Sequence, residues 1–166
     1  MKIIAVFLGL GLAAVAGIGF LYFQTDEEKQ VRDVVKESQM YESLVLYANP
    51  AGFDENELKK YWIAEPNNNQ LDIVKVKKGV ENLIQKGVYY GKETKCEKFD
   101  FVSVEINEAK DFAVAKTIEK WFVAKYSTDG ILLENKTIGP YAVSYNLRKN
   151  GGRWLIEKSS TARVGN

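Results

Sequence analysis

Residues 3 to 23 form an apolar segment without a single charged side chain. As an α-helix rising about 1.5 Å per residue, the segment is roughly 31 Å long, which matches the hydrocarbon core of a bilayer. The remaining sequence mixes apolar and charged residues as an ordinary folded domain does. We therefore predict a transmembrane anchor in residues 1–25, followed by one domain in residues 26–166.

A cleaved signal peptide is the alternative explanation for this segment. Lys2 precedes it, and Ala14-Val15-Ala16 resembles a cleavage site. Cleavage there would leave residues 17–23, which are still apolar, at the new N-terminus, so an uncleaved anchor is favoured. A lipoprotein signal needs a cysteine beside the apolar run, and the single cysteine is Cys96.

The charges that flank the segment predict its direction in the membrane. Lys2 lies before it, whereas Asp26, Glu27 and Glu28 follow it. Because positive residues tend to remain on the cytoplasmic side, we expect a single-pass protein with a cytoplasmic N-terminus. The bulk of the chain would then be extracytoplasmic.

Small residues recur every four positions in the segment, at Ala5, Gly9, Ala13 and Gly17. On a helix they form a narrow stripe where a second helix could approach closely. Such residues are also common in membrane segments without any contact. The hypothesis is that this stripe packs against a second copy or against other proteins of a membrane complex.

The composition of residues 26–166 excludes several classes of function. All 22 acidic residues lie there, and so do 22 of the 23 basic ones, since only Lys2 precedes them. A neutral domain argues against nucleic acid as a partner. The chain has no histidine, which removes the commonest metal ligand and the usual general base. We expect no metal, no cofactor and no internal disulfide.

Hydrophobic periodicity predicts three helices in the first half of the domain. The first covers residues 26–48. A short second helix follows Asp54, which is expected to form a capping box with Glu57. The third covers residues 71–86, although the alternation in residues 73–77 also fits a strand and leaves a later start open.

From about residue 88 the apolar period changes to two, which is typical of strands. Residues 99–106, 112–127 and 141–147 fit three strands, and Asn150-Gly151 is a tight-turn signal before a fourth. The predicted fold is α+β: an N-terminal transmembrane helix, then about three helices packed on a curved antiparallel sheet of about four strands.

The strand motifs resemble those of the nuclear transport factor 2-like superfamily, whose fold is a cone-shaped α+β domain. Ala113-Val114-Ala115 before Trp121 is similar to the long strand of many members. Tyr141-Ala142-Val143-Ser144-Tyr145-Asn146-Leu147-Arg148 and the segment 150–156 are similar to their final hairpin. These motifs concern the fold and carry no catalytic chemistry.

Two groups of that superfamily share further features with this chain. Assembly proteins of type IV secretion and conjugation systems have one anchor and an extracytoplasmic domain of this fold. Division proteins of plastids and cyanobacteria end in a domain with a similar hairpin. The resemblance implies a non-enzymatic, membrane-anchored protein-interaction module, an accessory or assembly subunit of a membrane protein complex. Its partners would be the bilayer, through residues 3–23, and other complex subunits or a second copy.

A small-ligand-binding or isomerase-like pocket of the same fold is the alternative function. The His-Asp pair of many superfamily enzymes is impossible here, but a ketosteroid-isomerase-like site needs only an acidic base and a tyrosine donor. Candidate residues for it are Asp100, Asp111, Tyr126, Tyr141 and Tyr145. A cavity holding a buried carboxyl group with a raised pKa would favour this alternative, and a cone filled by aromatic side chains would exclude it.

Aromatic residues are the candidate contacts for a partner or a pocket, because tyrosine and tryptophan contribute much of the binding energy at interfaces. The alternative is that they are core residues of the sheet. The candidates are Trp62, Trp121, Tyr126, Tyr141, Tyr145 and Trp154.

Overall fold

The computed structural model describes residues 25–164. The predicted anchor in residues 3–23 and its small-residue stripe lie outside the described residues. Within residues 25–164, no helix is long and apolar enough to cross a membrane.

Helices make up the first half of the domain. They are α1 (Asp26–Tyr41), a π-helical turn (Glu42–Leu46), a 3-10 turn (Pro50–Gly52), α2 (Glu55–Leu58) and α3 (Asp72–Lys86). The helix predicted for residues 26–48 is confirmed as far as Leu46, except that its last turn is π-helical. Val31 and Val35 of α1 are fully buried, so this helix is packed on the rest of the domain.

One detail of the helix predictions is wrong, and the helix predicted for residues 71–86 is confirmed as α3. Asp54 caps α2 through the amide of Asn56 at 2.8 Å, while Glu57 bonds to Lys60 at 2.6 Å, so no reciprocal capping box forms. The segment 73–77 is helical in α3 and does not form a strand. Helical spacing buries Ile73, Val76 and Val80 on one face of α3, and this packing overrides the local alternation.

The second half of the domain is one antiparallel sheet. Its strands are β1 (Val88–Tyr90), β2 (Lys95–Ile106), β3 (Phe112–Ser127), β4 (Leu132–Asn150) and β5 (Arg153–Arg163). The order is β1-β3-β4-β5, and β2 also pairs with β3. The sheet thus has five strands where about four were predicted. The extra strand is the short β1, and β4 begins at Leu132, whereas the prediction began this strand at residue 141.

One face of β3 carries the domain core and also the site described below. The inward side chains are those of Ala113, Ala115, Thr117, Glu119 and Trp121, all buried. Small alanine side chains lie at one end of β3, and the large side chain of Trp121 lies towards the other end. The space between the sheet and the helices is therefore occupied by different kinds of side chain along β3. The core beside the alanines includes Val31, Val35, Leu147 and Trp154.

Gly139 allows β4 to bend where it passes Glu119. Its φ angle is +95°, and a Cβ at this position would lie 2.6 Å from the carbonyl oxygen of Glu119. The β3–β4 pairing is irregular at the same place, between Glu119 and Trp121. A side chain here would therefore displace the backbone of Glu119.

We predict that Gly139→Ala destabilises the domain more than Gly130→Ala does. Both glycines have positive φ angles, but a Cβ at Gly130 would meet nothing within 4 Å. Positive φ costs an alanine about 1 kcal/mol, and the overlap with the Glu119 backbone should add at least about 1 kcal/mol. Urea unfolding of both variants measures the difference, and equal losses would contradict this view of Gly139.

Candidate functional site

A cavity of about 290 Å³ lies between the concave face of the sheet and the helices. The strands contribute Glu119, Trp121, Tyr141, Val143, Tyr145, Ser159 and Thr161 to its wall. The helical layer contributes Gln39, Glu42, Tyr47, Trp62, Asp72, Lys75 and Val76. Thus the cone is not filled by aromatic side chains at this position, and its wall is rich in polar groups.

Glu119 is a buried acid of the cavity, with 4% of its surface exposed. Its Oε1 accepts hydrogen bonds from the hydroxyls of Tyr145 and Thr117, each at 2.6 Å. Its Oε2 accepts a longer bond, 3.4 Å, from the indole N–H of Trp121. These three donors compensate for the loss of water around a buried carboxyl group. They also fix its direction.

The π-helical turn brings Glu42 into the same cavity. The N–H of Tyr47 donates to the carbonyl of Glu42 at 3.0 Å, so residues five apart lie over one another. The Tyr47 hydroxyl can then donate to the Glu42 carboxyl group. Burial, with a smaller effect of the negative charges of Asp72 and Glu119, raises the pKa of Glu42 to about 7, although the hydrogen bond from Tyr47 lowers it.

Asp72, the first residue of α3, is the third acid in the wall and is 4% exposed. Its Oδ1 accepts from the ammonium of Lys75 at 2.7 Å. Lys75 is the one basic residue in the wall, and its side chain is largely exposed. Within the part of the chain that the structure describes, no group of three acidic or cysteine side chains could hold a metal ion. The three carboxyl groups surround the cavity without converging on one point.

Trp62 reaches the cavity because its neighbours pair with β5. The N–H of Ile63 donates to the carbonyl of Ile156 at 2.9 Å. The N–H of Ile156 in turn donates to the carbonyl of Tyr61 at 2.8 Å. The Trp62 ring is 2% exposed. Together with Trp121 and Tyr141, it gives aromatic surface to a wall that also carries three acids.

Four of the six aromatic candidates from the sequence line this cavity: Trp62, Trp121, Tyr141 and Tyr145. Trp154 is buried elsewhere and donates its indole N–H to Glu27 at 2.7 Å. Tyr126 stacks on Tyr89, with ring centres 5.8 Å apart, near the β1 end of the sheet. The structure therefore does not bring Trp154 and Tyr126 together with the other four.

The two acids proposed as isomerase-like bases do not line this cavity. Asp100 is exposed and pairs with Lys98 at 3.1 Å. Asp111 is an exposed turn residue that accepts from the side-chain amide of Asn107 at 2.7 Å. Asp100 lies in the middle of β2 and Asp111 directly before β3, and both side chains face solvent.

Sequence reasoning missed the three acids that do line the cavity. Of these, Glu119 gave a usable signal, because it alternates with Thr117 and Trp121 in a strand whose other face carries Lys116 and Lys120. Nothing in the sequence pattern distinguished Glu42 or Asp72 from the other acidic residues. The π-helical turn changes the direction of Glu42, and Asp72 looks like an ordinary acid in the first turn of a helix.

Comparisons with known proteins show the fold of the domain. The intermembrane space region of chloroplast protein ARC6 is similar over 82% of this chain and 96% of its own, with TM-score 0.62 and 13% identity. A weaker similarity is to a suspected dehydratase of the NTF2-like family from Streptomyces avermitilis, over 84% of this chain and 98% of its own, with TM-score 0.48 and 11% identity. Another is to an NTF2-like protein from Novosphingobium aromaticivorans, over 93% of this chain and 89% of its own, with TM-score 0.45 and 12% identity. No family model and no curated protein matches the sequence. The similarity to the ARC6 region shows a shared fold and, at 13% identity, nothing beyond the fold.

The pKa of Glu42 predicts a pH-dependent stability. Its folded value of about 7 exceeds the ordinary 4.5, so between these values the folded state keeps a proton that the unfolded state releases. The contribution of Glu42 to the free energy of unfolding is therefore full below pH 4.5 and falls as the pH rises towards 7.

Glu42→Gln should remove this dependence. Relative to wild type, the variant should gain roughly 2 kcal/mol of stability between about pH 5 and pH 8, measured by urea unfolding. Glu37→Gln, at an exposed position of α1, is the control and should keep the wild-type profile. Parallel profiles for wild type and Glu42→Gln would show that Glu42 is not the group responsible.

Proposed function

We propose that the domain binds a small ligand carrying a positively charged group in the cavity between α1, α3 and the sheet. The observation that supports this is the composition of the wall, where Glu42, Asp72 and Glu119 outnumber the single Lys75. A carboxyl group of this kind binds an ammonium group by a charge-assisted hydrogen bond, which is stronger than a neutral one.

The aromatic part of the wall supports the same class of ligand. Indole and phenol rings attract cations through their faces, and Trp62, Trp121 and Tyr141 are available in the wall. The volume of about 290 Å³ lies at the lower end of the usual range for ligand pockets. An organic amine of modest size fits both properties.

The amine proposal predicts that Glu119→Gln weakens binding. Calorimetry with a panel of small organic amines, each paired with an alcohol of the same shape, should detect amines that bind while the alcohols do not. Loss of one charge-assisted bond costs about 1.5–3 kcal/mol, so the best amine should bind roughly 10-fold to 100-fold more weakly to the variant.

Glu105→Gln is the matched control, because Glu105 is a β2 acid with 67% of its side chain exposed. It should bind the amine as wild type does. Equal affinity for the amine and its alcohol, or equal losses in both variants, would contradict the proposal.

A protein-interaction module in a membrane complex is a second candidate function. It is favoured by three consecutive exposed apolar residues at the β3–β4 turn: Ile131, Leu132 and Leu133 are 62%, 47% and 54% exposed. β5 pairs with β4 only from Tyr141 onwards, so the start of β4 also has a strand edge without a partner among the described residues. Such an edge with apolar side chains is a common place for another chain to bind.

This second candidate predicts that Leu133→Glu removes a partner without unfolding the domain. Gentle solubilisation of native membranes followed by size separation should give a defined complex for wild type and a smaller species for the variant. Val102→Glu, at a 63% exposed position of β2, is the matched control and should leave the complex intact. A wild-type chain that runs alone would contradict this candidate.

We also propose that residues 3–23 anchor the protein in a membrane and leave the domain extracytoplasmic. The support is the uncharged sequence of this segment and the charges that flank it. Flotation of the full chain with lipid vesicles tests the anchor, and a chain that remains in the dense fractions would contradict it.

A further inference from the structure

One carboxylate attaches the start of α1 to the end of the sheet. Glu27 Oε1 accepts from the ammonium of Lys149, and Glu27 Oε2 accepts from the indole N–H of Trp154, both at 2.7 Å. The Lys149 ammonium lies 5.4 Å from the centre of the Trp154 ring. We call Glu27, Lys149 and Trp154 the Glu27 clamp.

The clamp joins three parts of the chain at one end of the domain. The N–H of Lys149 donates to the carbonyl of Asp111 at 2.9 Å, which connects the end of β4 to the β2–β3 turn. The β4–β5 hairpin closes next to it, with Asn150 paired to Arg153. We call this the clamp end. The β3–β4 turn lies at the other end of β3.

The clamp end is also where the proposed anchor joins the domain. Phe23 is the last residue of the apolar segment, and α1 begins at Asp26. Three residues of extended chain span at most about 10 Å. Because α1 is held by the clamp and by the fully buried Val31 and Val35, the clamp end of the domain lies close to the end of the proposed anchor.

The hairpin at the clamp end carries positive charge. Residues 146–156 contain Arg148, Lys149 and Arg153 and no acidic residue. Arg148 pairs with Glu157 and Lys149 with Glu27, but the exposed Arg153 has no ionic partner among residues 25–164. An arginine held near a bilayer is attracted to the phosphates of lipid headgroups.

We propose that the clamp end rests on the bilayer surface, with Arg153 against lipid phosphates, and that the β3–β4 turn points away from the membrane. This inference rests on the proposed anchor in residues 3–23. It assigns the apolar residues Ile131–Leu133 to the surface farthest from the lipid, where a partner protein could reach them.

Fluorescence quenching in vesicles tests this orientation. The full chain, with Cys96→Ser, receives one label at Asn150→Cys or at Asp129→Cys, both exposed positions. The labels mark opposite ends of the sheet, on the order of 40 Å apart by strand geometry. With a nitroxide on the headgroups of mixed phosphatidylcholine and phosphatidylglycerol, the label at 150 should be quenched several-fold more than the label at 129.

Substitutions separate the two parts of the proposal. Glu27→Ala should reduce the difference between the two labels, while Glu28→Ala, which removes a neighbouring charge outside the clamp, should not. Arg153→Glu should lower quenching at position 150, while Arg163→Glu, on the same strand but outside the hairpin, should not. An Arg153→Glu variant that is quenched like wild type would overturn the phosphate contact.

The remaining outcomes distinguish the inference from the anchor itself. A chain that floats with the vesicles but shows equal quenching at both labels overturns the orientation and leaves the anchor standing. If Glu27→Ala has no effect on the difference, the orientation stands and the role of the clamp in fixing it is overturned. A chain that fails to float overturns the anchor, and the orientation with it.

Discussion

The hydrogen bonds of Glu119 are the constraint on which the rest of the site depends. A carboxyl group in the middle of an inward strand face is costly to bury, and the domain provides three donors from β3 and β4 to satisfy it. Two of them, Tyr145 and Trp121, are large side chains whose positions are therefore set by a polar contact. The strand bend at Gly139 lets β4 pass close to the same residue. A cavity with polar walls follows from this arrangement, where hydrophobic packing alone would have filled the space.

The sequence predicted the α+β class, the order of helices before strands and the long strand over residues 112–127, all of which are strongly periodic. It was less successful where tertiary packing decides the outcome. The segment 73–77 alternates like a strand, yet its apolar residues are buried with helical spacing in α3. The segment 134–140 of β4 has a largely polar composition, but pairing with β3 continues there beyond the last contact with β5.

The candidate site was only partly accessible from the sequence, for a physical reason. Period-two alternation places Tyr141 and Tyr145 on the inner face of β4, and both line the cavity. The same alternation places Glu119 on the inner face of β3, but it does not show which inner residues lie opposite a helix end. The cavity is lined by residues that are far apart in the sequence, on α1, α3 and the sheet. Only the fold brings them together, so local residue spacing cannot predict that they share a cavity.

The π-helical turn is a place where the chain can lose or gain one residue without disturbing its surroundings. Residues four apart in a regular α-helix also lie on the same face, so removing one residue between Glu42 and Tyr47 would return the turn to α-helical form and leave the two as neighbours. The carboxyl group whose pKa is about 7 would keep its phenol neighbour. Related domains with a regular helix here could therefore carry the same pair at a spacing of four.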